Sequence, residues 1–506
     1  MRCFLASTTC VVLYPLYCRI YRKLRKLPPG PSFPILTQIL KGPAISSYIP
    51  LHYSPYLTYF WLNSRFKFCA LHNPQIAKQV FSNIHCQNRG PLFLEMIPNE
   101  PDLLRVEYGK QWKERRKLVR SVLLTMEDSH YVDTNVRRFI DKYFVPRIDT
   151  MMKEKGYVHS KEIGKSIRHL TFSMILKVMF GEEVSTDNPL FLELSTLYEE
   201  WALSVVKAAM IHTFPIPRFL FGRSSVERVK ELESKLDGLV KKHFFDPQIR
   251  KQDGNEKMDK ITYFDHALGY IQSAETNRNN ITLEQLLVDF RILIQASIDT
   301  ASFILQNALL HLIKYDQIQQ ILYDELKEQF PDGQFTLKKV NKCPRFRAYI
   351  NEILRIALPI PDGVPRYTTD DIEVNFEDNS GIKREYVIPK GTGVMLNLAF
   401  MHYGDRTKWK ETTAIDLNHW LEKKVGADGQ ETVTFKNRKD VFPFSVGARD
   451  CVGRSLALRL LYSIIATMIL KYEWNRFDDK FEIKTKLIGG SNRMDTDCNL
   501  VLTSRS

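Results

Sequence analysis

The densest group of chemically capable residues lies near the carboxyl end, in Phe444-Ser-Val-Gly447-Ala-Arg449-Asp-Cys451-Val-Gly453. Two glycines flank a single cysteine, an arginine stands two residues before it, and a helical pattern from Ser455 to Leu470 comes after it. Such a string is a tight loop that delivers one sulfur to a helix amino terminus. The free N–H groups and dipole there are expected to lower the thiol pKa and favour thiolate. Gly447 permits a turn with positive φ, and Gly453 allows close backbone approach. Arg449 can pair with an anionic group of whatever the sulfur binds. The competing reading is a buried structural cysteine in a loop. The other seven cysteines, at 3, 10, 18, 69, 86, 343 and 498, form no CxxC pair. Eight in 506 residues make no disulfide framework, so a zinc ribbon is excluded, a reducing compartment is favoured, and a functional cysteine must act alone.

Three further constellations could do chemistry. In Trp112-Lys-Glu-Arg-Arg116 the indole and guanidinium stand at i and i+4, on one helix face, and present two donors together. A surface stacking pair is the plainer reading of the same spacing. In Ala296-Ser297-Ile298-Asp299-Thr300 an acid and an alcohol interrupt an apolar helix and can relay protons. The plainer reading is a hydroxyl bonded back to a carbonyl beside a solvent-facing Asp. Glu352-Ile-Leu-Arg355 is an i,i+3 ion pair, commonplace on helices.

The elements that must position these residues are mostly helical, with no internal repeat and no strong composition break after residue 31. Thr282-Leu-Glu-Gln285 is a capping-box pattern, and neither Pro nor Gly interrupts the chain until Pro331. One helix is expected from about Leu283 to Tyr315, crossing the middle of the fold and carrying Asp299 and Thr300. Strand-like runs are few. Ile372–Phe376 and Tyr386–Ile388 suggest one small sheet.

Apolar residues make up 44% and aromatics 11%, which excludes a disordered chain. The net charge is +14, but six basic residues and no acid fall within residues 1–30, and the rest of the chain holds no nucleic-acid motif. The basic balance therefore fits a membrane surface or an acidic partner, not a nucleic acid. Cys3 to Cys18 is uncharged and mostly apolar, and the basic cluster Arg19–Lys26 comes directly after it. The expectation is a single amino-terminal anchor with its basic stop in residues 1–26, the body 27–506 lying in the cytosol. A cleaved signal peptide is the alternative. Leu27-Pro28-Pro29-Gly30-Pro31 separates anchor from body. Ile211–Phe221, apolar and broken by Pro, is expected either to dip into the membrane or to be an ordinary buried loop.

The string from Phe444 to Gly453 resembles the haem-binding signature of the cytochrome P450 family, Phe-x-x-Gly-x-Arg-x-Cys-x-Gly, at every specified position. Trp112-x-x-x-Arg116 is similar to the family's propionate-binding helix, and Arg366 of Gly363-Val-Pro365-Arg366 is placed like its second propionate binder. Ala296 to Thr300 looks like the family's oxygen-binding groove, with Ser297 in place of the usual glycine and Ala301 where a hydroxyl residue is common. Glu352 and Arg355 look like the family's Glu-x-x-Arg, with His419 standing for the usual arginine of the third partner. Imidazole in general titrates near neutrality, so a histidine in this place is expected to make the triad pH-sensitive.

The resemblance implies the P450 fold, a large helical domain with a small β-rich region and a long central helix. It implies haem b ligated by the thiolate of Cys451, with Phe444, Gly447, Gly453, Arg449, Trp112, Arg116, Arg366 and Ala296 around it. Asp299 and Thr300 would be the catalytic pair, and Glu352, Arg355 and His419 a structural triad. The implied activity inserts one oxygen atom of O2 into a lipophilic small molecule. No flavin, nicotinamide or iron–sulfur motif is present in the sequence, so NADPH-derived electrons would come from a membrane-bound flavoprotein reductase at the endoplasmic reticulum. Substrate lining is expected from Leu92–Leu104, Ile294–Ser302, Ile360–Val364 and Ile488–Ser491. A haem-thiolate isomerase or peroxygenase, or a non-catalytic haem-binding protein, are the alternatives.

Overall fold

The computed structural model describes residues 22–30, 54–61, 66–91, 100–125, 131–183, 185, 188–213, 215–246, 262–272, 281–410, 413–425, 431–477, 481–488 and 491–505. The amino-terminal part runs β1 (Leu57–Trp61), β2 (Lys67–Leu71), α1 (Pro74–Ser82), α2 (Lys110–Thr125), α3 (Tyr131–Phe139), α4 (Val145–Lys155) and β3 (Val158–His159). The helical middle is α5 (Ser160–Phe180), α6 (Pro189–Thr213), α7 (Pro215–Val240), α8 (Tyr263–Gln272), α9 (Leu283–Lys314), α10 (Asp316–Gln329) and α11 (Pro344–Ile356). Short strands come next: β4 (Arg366–Tyr367), β5 (Ile372–Glu377), β6 (Lys383–Ile388), β7 (Gly393–Leu396), β8 (Leu421–Val425) and β9 (Glu431–Phe435). The chain ends with α12 (Arg454–Lys471), β10 (Tyr472–Arg476), β11 (Thr485–Ile488), β12 (Ser491–Met494) and β13 (Asn499–Ser504).

The central helix α9 begins where its cap dictates. The Thr282 hydroxyl accepts from the Gln285 N–H at 3.2 Å, and the Gln285 side chain accepts from the Thr282 N–H at 3.3 Å. Thirty-two residues at 1.5 Å each give a helix of about 48 Å. It packs against α5, α7, α8, α10, α11 and α12, so its apolar residues are buried on several sides. Phe290 of α9 stacks on Phe180 of α5 at 4.8 Å, and Phe244, beyond α7, stacks on the same ring at 4.9 Å.

Strand structure is richer than the sequence pattern suggests. The expected β5–β6 pair forms, antiparallel, from Ile372↔Ile388 to Glu377↔Lys383. A four-stranded sheet of order β1-β2-β7-β4, a three-stranded sheet of order β10-β13-β3 and two more hairpins accompany it. These leave no local signal for a physical reason. β2 is buried along nearly its whole length, so it shows no alternation, and it pairs in parallel with β7 from a remote part of the chain. In the 211–221 region the buried-loop alternative fails: its described residues are the end of α6 and the start of α7, and Pro215 opens α7, where a missing N–H costs nothing. The apolar run Cys3–Cys18 lies outside the described residues. Among those described, no helix is long and apolar enough to cross a membrane.

Candidate active site

The loop before α12 is built from turns that its residues permit. The Cys451 N–H donates to the Phe444 carbonyl at 2.9 Å and the Asp450 N–H to that of Gly447 at 3.0 Å. Gly447 has φ +80°, and a Cβ there would collide with the Phe81 carbonyl, so only glycine fits. Phe444 packs on the main core beside Arg454. Gly453 is the amino cap of α12; a Cβ added there would meet only the Cys451 sulfur, at 4.0 Å. Its need for glycine therefore concerns space beside the sulfur, not contact with other protein atoms.

Cys451 is accessible. Even so, protein surrounds the sulfur closely enough that burial raises its pKa, outweighing the Gly453 N–H and the cations Arg116 and Arg454, which lower it. The helix start alone therefore does not hold this thiol below its ordinary pKa. Among the described residues no cluster of three or more His, Cys, Asp or Glu could hold a metal.

Three buried arginines converge on the loop: Arg89, Arg366 and Arg449. Arg366 donates to the carbonyls of Phe81 at 2.6 Å and of Val446, and to Gln87 at 3.2 Å. Arg89 donates to Leu104, Val364 and Pro365 carbonyls at 3.1, 3.1 and 2.8 Å. Arg449 donates to the carbonyls of Leu104 at 3.2 Å and Val106. Its buried Nε has no protein partner among the described residues. None of the three has an ion-pair partner among those residues. Burial, and for Arg89 and Arg449 their mutual repulsion with Arg366, lowers their pKa values, to about 10 for Arg366 and Arg449. A cationic cluster with no direct ion-pair partner among the described residues, with an orphaned donor and one accessible cysteine in the same loop, fits haem, which brings two carboxylates and one metal.

Trp112 and Arg116 lie on α2 at the edge of this cluster. The guanidiniums of Arg116 and Arg449 lie 5.4 and 4.9 Å from the centroid of the buried Trp112 ring. Arg116 is half taken: it forms an ion pair with Asp450, within the cysteine loop.

On α9, Ala296 is exposed although the helix is largely buried. The Thr300 hydroxyl donates to the Ala296 carbonyl at 2.8 Å, and Ser297 donates to Leu293 at 2.7 Å. Both adopt the back-bonding pattern of helical hydroxyls. Asp299 does not face open solvent. It accepts from Arg168 at 2.5 Å and Gln295 at 2.6 Å, with Arg493 3.6 Å away. It lines a cavity of about 360 Å³ together with Arg168, Gln306 and Arg493. Asp299 and Thr300 thus leave the helix in different directions, as neighbours about 100° apart must.

Glu352, Arg355 and His419 meet. Arg355 donates to both Glu352 oxygens at 2.7 and 2.9 Å, and His419 Nδ1 is 3.0 Å from Glu352 Oε1. The Trp420 indole donates to Glu352 as well, at 2.7 Å. Arg355 also donates to the His402 carbonyl at 2.7 Å and lies 4.5 Å from the Trp409 ring centroid, tying α11 to the segment before the cysteine loop. Of the expected substrate-lining segments, 92–99 and 489–490 lie outside the described residues. Pro359 and Leu358 carbonyls accept from Asn492, both at 2.7 Å, so strand β12 docks on the chain leading to Ile360–Val364.

Sequence reasoning missed Arg89, Asp450, Arg168, Arg493 and Trp420. Asp450 sits at an unspecified position of the cysteine string, and the others reach their partners only through the fold.

The family model described as Cytochrome P450 matches residues 27–491. Cytochrome P450 2C23 of Rattus norvegicus is 24% identical over 479 residues, spanning 92% of this chain and 90% of the relative. Ferruginol synthase of Salvia miltiorrhiza is 22% identical, spanning 91% and 90%. Trans-cinnamate 4-monooxygenase of Zinnia elegans is 25% identical, spanning 79% and 77%. With the family model covering nearly all of the chain, the one accessible cysteine among the described residues and the arginine cluster have one common explanation: the chain belongs to the cytochrome P450 family.

Proposed function

We propose that this haem-thiolate monooxygenase binds the iron of haem b through Cys451 and holds the haem carboxylates with Arg449, Arg366, Trp112 and Arg116. Arg89 joins that group. Thiolate-ligated haem, when bound, supplies the activation of O2 for insertion into a C–H bond. The chain's own residues do the rest. The cysteine loop presents one sulfur, the arginines neutralise and orient the carboxylates, and the apolar face of α9 keeps bulk water from the reacting side. Asp299 and Thr300 move protons, with ordered water bridging their different directions. Glu352, Arg355 and His419 hold the scaffold.

The substrate in this reading is a lipophilic small molecule reaching the protein from a bilayer. Phe219, Leu220 and Phe221 near the start of α7 are 88%, 61% and 55% exposed, and such a contiguous apolar patch suits a lipid surface. Residues 1–26 anchor the chain in the endoplasmic reticulum membrane, and a membrane-bound NADPH-dependent flavoprotein reductase delivers electrons. Membrane lipids and that reductase are the partners, with no nucleic acid.

The observation that carries the proposal is the accessible Cys451 sulfur beside the orphaned Nε of buried Arg449. The test is to express the full chain with haem, record the reduced carbon-monoxide spectrum, and supply NADPH with a flavoprotein reductase and a panel of lipophilic compounds. A thiolate-type spectrum and NADPH-dependent oxygenated product are expected. A holoprotein that turns over only with added peroxide, or only isomerises, would overturn the reductase-driven reading.

A further inference from the structure

Two of the three buried arginines are aimed by the same short stretch of chain. Arg449 and Arg89 both donate to the Leu104 carbonyl, at 3.2 and 3.1 Å, and Arg449 donates also to Val106. The contacts that fix that stretch determine where the guanidiniums point. Within it, Asp102 closes a turn by accepting from the N–H groups of Leu104 and Arg105 at 2.9 and 3.1 Å and from the Arg105 guanidinium at 2.8 Å. The turn is then pinned to the central helix. Asp289 Oδ1 accepts from the Leu103 N–H at 2.6 Å. The same carboxylate takes Arg115 Nη2 at 2.5 Å and Nε at 2.8 Å, while Arg115 Nη1 donates to the Pro101 carbonyl at 2.9 Å. Gln285, whose side chain caps the same helix, adds a donor to Glu100 at 2.9 Å. Asp289 and Arg115 are both buried.

We infer that Asp289 is a positioning residue for haem retention: through Leu103 and Arg115 it sets the Leu104 and Val106 carbonyls that aim Arg449 and Arg89 at the haem carboxylates. Asp289 stands seven residues before Ala296, about 10 Å along the helix, so it acts through the loop and not on the reacting atoms. Its carboxylate belongs to none of the sequence constellations, yet it joins the helix, the loop and the cationic cluster. This inference rests on the reading of Arg449 as a haem-carboxylate binder.

The test uses the haem-loaded full chain. Haem transfer to apomyoglobin and the haem midpoint potential are measured for wild type, Asp289→Asn, Arg449→Leu and the double variant. Asp289→Asn is expected to speed haem loss about 10–100-fold, the usual cost of losing an outer partner, and to move the potential in the same direction as Arg449→Leu. In the double variant the two effects on haem loss should fall short of multiplying, because Asp289 acts in part through the Arg449 guanidinium that the second change removes. A second pair, Asp289→Leu with Arg115→Met, removes the buried ion pair without stranding either charge and should give the same fast haem loss in a folded protein. Wild-type haem retention and potential in Asp289→Asn and in Asp289→Leu/Arg115→Met would overturn the inference, as would multiplicative effects with Arg449→Leu. Failure of Arg449→Leu itself to alter haem retention would strike the underlying reading of Arg449 instead.

Discussion

At Cys451 two local tendencies oppose each other. The helix start, the Gly453 N–H and nearby cations favour thiolate, while burial opposes it and prevails in the protein alone. Cys451→Ser should abolish the thiolate-type band of the reduced carbon-monoxide complex; persistence of that band would remove Cys451 as the ligand. Thr300 offers a second test at this scale. Among the described residues its hydroxyl bonds locally, to Ala296 in its own helix, so Thr300→Ala is expected to cost the fold little. Haem content should stay near wild type while NADPH consumption yields peroxide in place of product. A loss of about 1.4 kcal/mol in the productive transition state lowers product formation about tenfold. Unchanged product per NADPH in both Thr300→Ala and Asp299→Asn would exclude both residues from the proton path.

Between elements, the junction of α11 with the segment 416–420 carries a pH dependence whose sign is set by Glu352. Burial raises its pKa, but Arg355, His419 and Trp420 outweigh burial and bring it down to about 2 from an ordinary 4.5. A depressed folded pKa means stability that is present above about 4.5 and lost as pH falls toward 2. The contribution is on the order of 3 kcal/mol. Glu352→Gln should be less stable than wild type at pH 7, and the gap should close between pH 4.5 and 2 in thermal or urea unfolding. A gap independent of pH would show that the carboxylate charge does not matter there. Arg355→Met should be worse at neutral pH, by about 3–5 kcal/mol, because it strands a buried carboxylate. How much of this was legible depended on range. The Thr282–Gln285 cap and the start of α12 are written in neighbouring residues, and both could be read. The Glu352–Arg355 pair could be read as a pair, but Trp420 joins it only through the fold. Likewise Asp299 gives no local hint of Arg168 and Arg493, and Gly447 signals a turn without revealing the Phe81 carbonyl it must clear.

Over the whole molecule, charge and apolar exposure are distributed unevenly, and the two asymmetries lead to one orientation. Five of the six basic residues in 1–30 stand directly after an uncharged run, and under the proposed anchoring the positive-inside rule would put the chain beyond them on the cytosolic side. Far along the chain, Phe219, Leu220 and Phe221 expose apolar side chains that water penalises by about 1.5–3 kcal/mol each. Arg223, at 94% side-chain exposure, stands two residues beyond them. If both regions meet one cytosolic leaflet, protease added to intact microsomes should digest the body while lumenal proteins survive. Tryptic cleavage after Arg223 should be slower in microsomes than in detergent, because lipid covers the neighbouring patch. Replacing Phe219, Leu220 and Phe221 with serine in the full chain should restore fast cleavage at Arg223 without releasing the anchored protein. Protection of the whole body would instead place it in the lumen. Equal cleavage at Arg223 with and without detergent would leave the amino-terminal segment as the membrane contact and deny one to α7.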